Sequence, residues 1–273
     1  MTSTTETKPF IKWAGSKRKL ISSLAKKLPQ FDTYYEPFVG SGALFFSLKP
    51  AKAVLSDINP ELINVYRCIQ LDVEALIEDL KKHYYEKNYF YQIRDADRTD
   101  EYADWLNIER ASRFIYLNKT CFNGLYRVNK QGQFNTPFGR YKNPTILDES
   151  TLRPCSAALV GVELRVDSFD WIEQVVTSDD FVYFDPPYVP VSNTADYNSY
   201  SKDGFDVVNQ VQLKELCERL HARGVKFMLS NSCTPLVQDL YKDFELETVF
   251  ASRNINNVAE GRSKIKEFIV RNF

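Results

Sequence analysis

The stretch 181–188 constrains the fold of this chain most: Phe181-Val182-Tyr183-Phe184 runs without a charge into Asp185-Pro186-Pro187-Tyr188. Apolar residues at consecutive rather than alternating positions suit a strand covered on both faces, as in a parallel sheet. Parallel neighbours need long crossovers, usually helical, so the expected class is α/β. Two successive prolines end the strand, because neither can donate to a ladder. Ligands of open α/β sheets bind outside the carboxyl ends of the strands. At that edge the chain displays an acid, a rigid pair of carbonyls and an aromatic face.

Such a tip suits an exocyclic amine like that of adenine, a poor nucleophile whose lone pair must be drawn back onto nitrogen. Asp185 can accept one of its N–H bonds, the Pro186 carbonyl the other, and Tyr188 can stack on the base, with Pro187 stiffening the turn. On these four residues alone, a plain proline-rich turn is the alternative. A second stretch, Tyr35-Glu36-Pro37-Phe38-Val39-Gly40-Ser41-Gly42-Ala43, leads into Leu44-Phe45-Phe46 and reads as strand, glycine turn and helix start. Its glycines let the backbone pass close to a ligand. The third glycine of a dinucleotide fingerprint is missing, so the loop fits a nucleoside without a pyrophosphate. Fifteen residues after Gly42, Asp57 ends the strand expected at 51–56, just before the helix start Asn59-Pro60-Glu61. An acid there can accept both ribose hydroxyls. The plainer reading is an acid favoured by the helix dipole.

The chain has 273 residues, enough for one large α/β domain with an insertion, and its 44% hydrophobic content supports a full core. Cys68, Cys121, Cys155, Cys217 and Cys233 form no C-x-x-C pair, so neither a disulfide framework nor a zinc site is expected. With no apolar leader and no stretch of membrane-spanning length, a soluble cytoplasmic protein is expected. The net charge of −1 hides an asymmetry. Between 111 and 147 stand six basic residues (Arg113, Lys119, Arg127, Lys130, Arg140, Lys142) and no acidic one, leaving 29 basic against 36 acidic residues elsewhere. A solvated face normally mixes signs, so this segment reads as a nucleic-acid contact.

Apolar spacing predicts helices at 16–28, 73–83, 102–117, 208–222 and 236–243, and strands at 163–166, 226–230, 247–251 and 265–272. The last two strands are expected to pair as an antiparallel hairpin at the sheet edge. Residues 73–152 read as a mainly helical insertion. Within it, 125–128 and 133–135 flank a turn over Asn129-Lys130-Gln131-Gly132 as a β-hairpin. A basic, amide-rich hairpin suits the major groove, where Asn123, Arg127 and Arg140 can pair bidentately with bases. Phe122 and Tyr141 can buttress or replace an extruded base, and the plainer reading of each is a core aromatic. The tyrosine-rich loop 189–204, including Tyr200, can order over DNA, and Arg253, Arg262 and Lys264 of the loop 252–264 can meet phosphates.

Four motifs in order, Phe10-Ile11-Lys12-Trp13-Ala14-Gly15-Ser16-Lys17, Glu36-Pro37-Phe38-Val39-Gly40-Ser41-Gly42, Asn123-Gly124-Leu125-Tyr126-Arg127 and Asp185-Pro186-Pro187-Tyr188, make the chain resemble the Dam-type, alpha-class D12 DNA adenine-N6 methyltransferases over 9–273. The chain departs from that pattern at Tyr126 and Thr136. The resemblance implies a Rossmann-like methyltransferase sheet with an antiparallel C-terminal hairpin, a catalytic domain of 9–72 and 153–273, and a target-recognition domain of 73–152. It implies S-adenosylmethionine as cofactor, held by Trp13, Lys17, Glu36, Pro37, Phe38, Gly40, Gly42, Asp57 and Asp185, with Asp167 and Phe169 as a wall for its adenine. Lys119, Phe122, Asn123, Leu125, Arg127, Asn129, Pro137, Arg140, Tyr141, Tyr200, Arg253 and Arg262 are the expected DNA contacts.

The expected reaction is direct methyl transfer to adenine N6 in a short duplex site, GATC or one containing GAT, after base flipping and without metal. The expected product is S-adenosylhomocysteine, the expected form a monomer, and a cognate restriction endonuclease an expected companion. Cytosine-N4 transfer and a catalytically inactive DNA-binding protein of the same fold are the alternatives. No Pro-Cys pair is present for C5-cytosine chemistry. The missing glycine weighs against a nicotinamide oxidoreductase.

Overall fold

The computed structural model describes residues 7–17, 20–188, 205–252 and 264–273. Its strands are β1 (Tyr34–Glu36), β2 (Ala53–Asp57), β3 (Glu163–Val166), β4 (Phe181–Phe184), β5 (Lys226–Ser232), β6 (Glu245–Ser252) and β7 (Lys264–Arg271). They form one sheet in the order β3-β2-β1-β4-β5-β7-β6. The first five are parallel, with Tyr35 opposite both Val54 and Val182, while β7 pairs antiparallel with β5 and β6. This is the expected Rossmann-like sheet closed by an antiparallel C-terminal pair. Chain order reverses between β1 and β4, so the carboxyl ends of β1, β2 and β4 converge on one crevice.

All four residues of β4 are buried. Phe181 and Tyr183 enter one core with Tyr34, Leu55 and Met228, whereas Val182 and Phe184 enter the other with Tyr35, Val54 and Phe227. The unalternating run therefore marks a strand covered twice. The helices are α1 (Ile21–Ala25), α2 (Ala43–Leu48), α3 (Pro60–Leu80), α4 (Lys87–Asp95), α5 (Asn107–Thr120), α6 (Glu149–Leu159), α7 (Val207–Ala222) and α8 (Pro235–Leu240). Among them, none is long and apolar enough to cross a membrane.

Several helices differ from the periodic pattern. The segment expected at 73–83 is the end of α3, which is interrupted only at Asp72 (φ −153°, ψ 73°). The Asp72 carboxylate accepts the Ala75 N–H and restarts the turn. α5 begins at Asn107 rather than 102, because 100–104 winds as a 3₁₀ turn. α4 was hidden by its composition: only Phe90 is buried, and the Glu86 side chain caps it through the Asn88 and Tyr89 N–H groups. α6 carries Pro154 in its interior, which argues against a helix on sequence grounds. The expected division at 72/73 falls beside the irregular Asp72, and the one at 152/153 falls inside α6.

The expected β-hairpin is only a tight turn with one bridge, Val128 to Phe134. Asn129 donates its N–H to the Gln133 carbonyl and Asn135 to that of Arg127. In this register Phe134 turns its own peptide groups outward. Its N–H goes to Asp97 at 2.8 Å and its carbonyl accepts from Arg98 at 3.2 Å, so the turn is lashed to the helical layer instead of extending as a ribbon.

Candidate active site

Burial and charge meet at the carboxyl end of β4. Asp185 follows the strand directly, and Lys17, 4% exposed, reaches it from the N-terminal segment with Nζ 2.7 Å from Oδ1. Lys17 also donates to the Gly15 carbonyl at 2.6 Å and lies 4.4 Å above the Tyr188 ring. Burial lifts the Asp185 carboxyl to about 6, and the Lys17 ammonium pulls against that rise. The Pro187 carbonyl is taken by Gln210 Nε2 at 2.9 Å, and Gln210 in turn accepts from Asn231 on β5. Tyr188 donates its hydroxyl to Glu267 on β7 at 2.7 Å. The tip is therefore held from α7, from β7 and from the N-terminal segment.

The glycine loop stands beside it. Gly40 (φ 45°) and Gly42 (φ 63°) both take left-handed backbone. A Cβ on Gly40 would lie 2.6 Å from Trp13 Cδ1, and one on Gly42 would lie 2.7 Å from the Tyr66 hydroxyl. These glycines admit the Trp13 indole and the Tyr66 phenol, a packing reason that spacing alone does not reveal. Trp13 also stacks on Tyr126 at 5.6 Å and on Phe114 at 6.3 Å. It therefore joins the loop to α5 and to the segment that follows it.

Asp57 ends β2 with Oδ2 accepting the Gly40 N–H at 3.1 Å and Oδ1 accepting the Asn59 N–H at 3.0 Å. Burial lifts its carboxyl to about 6 against those two hydrogen bonds. The helix cap itself is Asn59, which accepts from the Glu61 and Leu62 N–H groups. Each Asp57 oxygen keeps a lone pair, which suits a vicinal diol. Glu36 lies deeper, 3% exposed, accepting the Tyr34 hydroxyl at 2.8 Å. Burial pushes its carboxyl up to about 8, with Tyr34 opposing. Pro37 is buried beside it, while Phe38 stacks on Phe169 at 5.5 Å and meets Phe205 edge-on at 5.6 Å. Phe169 thus forms an aromatic wall, but Asp167 is exposed and its carboxylate accepts the Ser168 N–H.

The expected DNA contacts separate into two groups. Arg127, Lys130, Arg140 and Lys142 are exposed, and Phe122 is 40% exposed. Asn123 takes a left-handed conformation (φ 55°) that presents it on a sharp corner before Gly124. Arg127 donates through Nε to the Asn135 side chain at 2.6 Å. Others are turned inward. Asn129 binds Gln133 and the turn N–H groups, the Lys119 charge helps to hold down the Asp148 carboxyl at the start of α6, and Tyr141 donates its hydroxyl to the Cys121 carbonyl. The carbonyls of Leu125 and Pro137 accept from Thr136 and Phe122, although the Pro137 ring is exposed. Arg113 leaves the basic face altogether, being buried against Asp97 at 2.7 Å. The two departures from the family pattern, Tyr126 and Thr136, also point inward, onto Trp13 and the Leu125 carbonyl. Tyr200, Arg253 and Arg262 lie outside the described residues, as does the loop 189–204.

Sequence reasoning missed Asn118, Phe205, Gln210 and Glu267. Asn118 Oδ1 accepts the Lys12 N–H, while Nδ2 donates to the carbonyls of Lys12 and Gly124, so the corner at Asn123-Gly124 and the N-terminal segment share one amide. An asparagine inside a helical run, or an acid among strand apolars, gives no signal without the tertiary contact.

Comparison with known proteins agrees with this geometry. The family model for D12 class N6 adenine-specific DNA methyltransferases matches residues 13–255. A type II methyltransferase of Lactococcus lactis, M1.LlaDCHI, is 43% identical over 97% of this chain and 95% of its own length. M.MjaIII, a type II methyltransferase of Methanocaldococcus jannaschii, is 39% identical over 98% and 100%, and a DNA adenine methylase of Vibrio cholerae is 34% identical over 95% and 94%. The chain covers nearly the whole of each relative, and its acid, glycine loop and tetrapeptide converge on one crevice: it belongs to the D12 class of N6 adenine-specific DNA methyltransferases.

Proposed function

We propose that this adenine-specific DNA methyltransferase uses S-adenosylmethionine and acts on an adenine flipped from a GATC or GAT-containing duplex site. The observation that carries the reading is the convergence of Asp185, Lys17 and Tyr188 with Asp57 and the glycine loop at one sheet edge. The donor set fits the cofactor. Asp57 offers a diol two acceptor lone pairs, the Phe38, Phe169 and Phe205 cluster offers an aromatic shelf, and Asp185 offers a carboxylate to a cationic amine. When bound, the cofactor supplies an electrophilic methyl group.

The chain's own residues handle the acceptor amine. Because the Pro187 carbonyl is already bonded to Gln210, the Pro186 carbonyl is assigned to one amine N–H and Asp185 to the other. Held between two acceptors, the nitrogen pyramidalises and its lone pair points away from both toward the donor side. Asp185 also favours the positive charge that nitrogen gains as its bond to carbon forms, and stands ready for the proton released afterwards. The Tyr188 ring supports the base from its face.

For recognition we assign base edges to Asn123, Arg127 and Arg140 and phosphates to Lys130 and Lys142, with Phe122 filling the gap left by the flipped base. Residues 73–152 are proposed as the target-recognition domain and 9–72 with 153–273 as the catalytic one. The type II names of the two relatives support a companion restriction endonuclease of the same specificity. Sequencing that reports methylated adenines on plasmid from an expressing host tests the reading. Methylation confined to adenines of GAT-containing sites is expected, and methylation of cytosine instead would overturn it.

A further inference from the structure

Tyr188 is held at its far end by a residue outside every motif of the chain. Glu267 lies on β7, opposite Ser232 at the end of β5 and Val249 of β6. Because β7 runs antiparallel to β5, its early residues arrive at the edge where the parallel strands end. Phe268, Ile269 and Val270, which follow, are buried in the two cores. Glu267 is only partly exposed and, unlike a solvated strand-end acid, spends its Oε2 on the Tyr188 hydroxyl at 2.7 Å. The Lys17 ammonium lies over the phenol ring, 4.4 Å from its centre, and is itself paired with Asp185. Among the described residues, two carboxylates and one ammonium thus surround this aromatic ring, leaving one negative charge in surplus around it.

We propose that Glu267 is a positioning residue for methyl transfer, fixing the angle of the Tyr188 ring against the target base and supplying the surplus negative charge around that ring. This rests on the functional reading above. Without a partner for its hydroxyl the Tyr188 ring can swing about χ1, and a stacked base needs one fixed plane. A neutral amine that becomes cationic during transfer is favoured by a net negative surround arranged before the reaction starts. Among the described residues, the other charged or titratable groups near the pair are Lys17, Asp185, Tyr183 and, below the loop, Glu36 and Tyr34. Of these Lys17 is the cation paired with Asp185 and Glu36 is pushed toward neutrality, while Asp57 is bonded at the glycine loop, so Glu267 is the acid that sets the balance at the ring itself.

The test compares Glu267→Gln, Glu267→Ala, Tyr188→Phe, the Glu267→Ala/Tyr188→Phe double variant and Asp185→Ala in steady-state tritium transfer to a duplex across pH. Glutamine keeps an acceptor for the phenol but removes the charge, so the Glu267→Gln variant separates the two roles even where alanine unfolds the chain. Glu267→Ala is expected to lower kcat about tenfold, the loss typical of one hydrogen bond to a charged group. The double variant should be no worse than the poorer single one, because both changes remove the same contact. Glu267 pushes the Asp185 carboxyl upward, so in Glu267→Gln the acid limb of kcat should move to lower pH. Additive losses, an unmoved acid limb and a fall in melting temperature alone would reduce Glu267 to a strand residue and overturn the proposal. Full transfer by Asp185→Ala would instead remove the reading of the crevice on which it stands, and the proposal with it.

Discussion

Lys17 and Asp185, 168 positions apart in the chain, form a buried ion pair at 2.7 Å in which the lysine is 4% and the aspartate 20% exposed. Breaking a buried pair costs more than forming it gains, because the survivor is left charged in a poor solvent. The survivor here can escape by taking a proton. Asp185 already sits at about 6, and it is burial that lifts it and Lys17 that restrains it.

Activity should therefore fall as pH drops below about 6, where Asp185 becomes protonated and no longer draws on the amine. Lys17→Met removes the restraining charge and should move that limb upward. Asp185→Ala should lower transfer by about 10²- to 10⁴-fold while duplex binding survives. Rate profiles in tritium transfer, with duplex binding followed by anisotropy, check both. A limb that stays in place in Lys17→Met would separate Asp185 ionisation from the rate.

Asp57 carries the second prediction. Asn59 caps α3, and Asp57 receives one N–H from each of Gly40 and Asn59. Asp57→Ala should raise the cofactor dissociation constant by about tenfold or more, given charge-assisted bonds of about 1.5–3 kcal/mol. Affinity of the parent should also weaken as pH falls through about 6, where the carboxyl is neutralised. Calorimetric titration decides: unchanged affinity with a lower melting temperature would leave Asp57 a helix-start acid.

The third prediction concerns stability. Glu36 ionises near its ordinary 4.5 in the unfolded chain but keeps its proton to about 8 when folded, because burial disfavours the charge. Between those values the native state binds the extra proton, so this group's contribution to stability declines as pH rises from about 4.5 to 8. The slope from one group cannot exceed about 1.4 kcal/mol per pH unit. Glu36→Gln keeps an acceptor for Tyr34 and should flatten the decline. Urea midpoints at pH 5 and pH 8 compare the two, and parallel curves would refute the assignment.

How much of this was legible in the sequence depends on how local the signal is. The doubly buried β4, the Asn59-Pro60 helix start and the antiparallel end of the sheet follow from runs of neighbouring residues. α4 and α6 did not, since one buries a single residue and the other contains a proline. The hairpin was over-read because Phe134 gives its peptide groups to Asp97 and Arg98, a competition that no turn signal records. The same holds for charge. Arg113 counted toward the basic segment until its Asp97 partner, from another part of the insertion, withdrew it.

Sequence reading is the last prediction, and it turns on how the exposed cations are held. Arg127 is pre-aimed: its Nε goes to Asn135 Oδ1 and its Nη2 to the Asn135 carbonyl, which fixes the plane of the guanidinium. A planar fork can pair with guanine O6 and N7, whereas Lys130 and Lys142 offer point charges suited to phosphate. Arg127→Ala and Arg140→Ala should each relax preference at one base pair, by about 1–3 kcal/mol of discrimination. Asn135→Ala should act like a milder Arg127→Ala at the same base pair, because it frees the fork without removing it. Lys130→Ala and Lys142→Ala should weaken all duplexes alike and lower the salt slope by about one. Transfer rates on a set of single-base variants of the site, at two salt concentrations, distinguish the cases. If Arg127→Ala and Arg140→Ala slow every variant equally, the two arginines grip the backbone and the base contacts must come from the Asn123 corner.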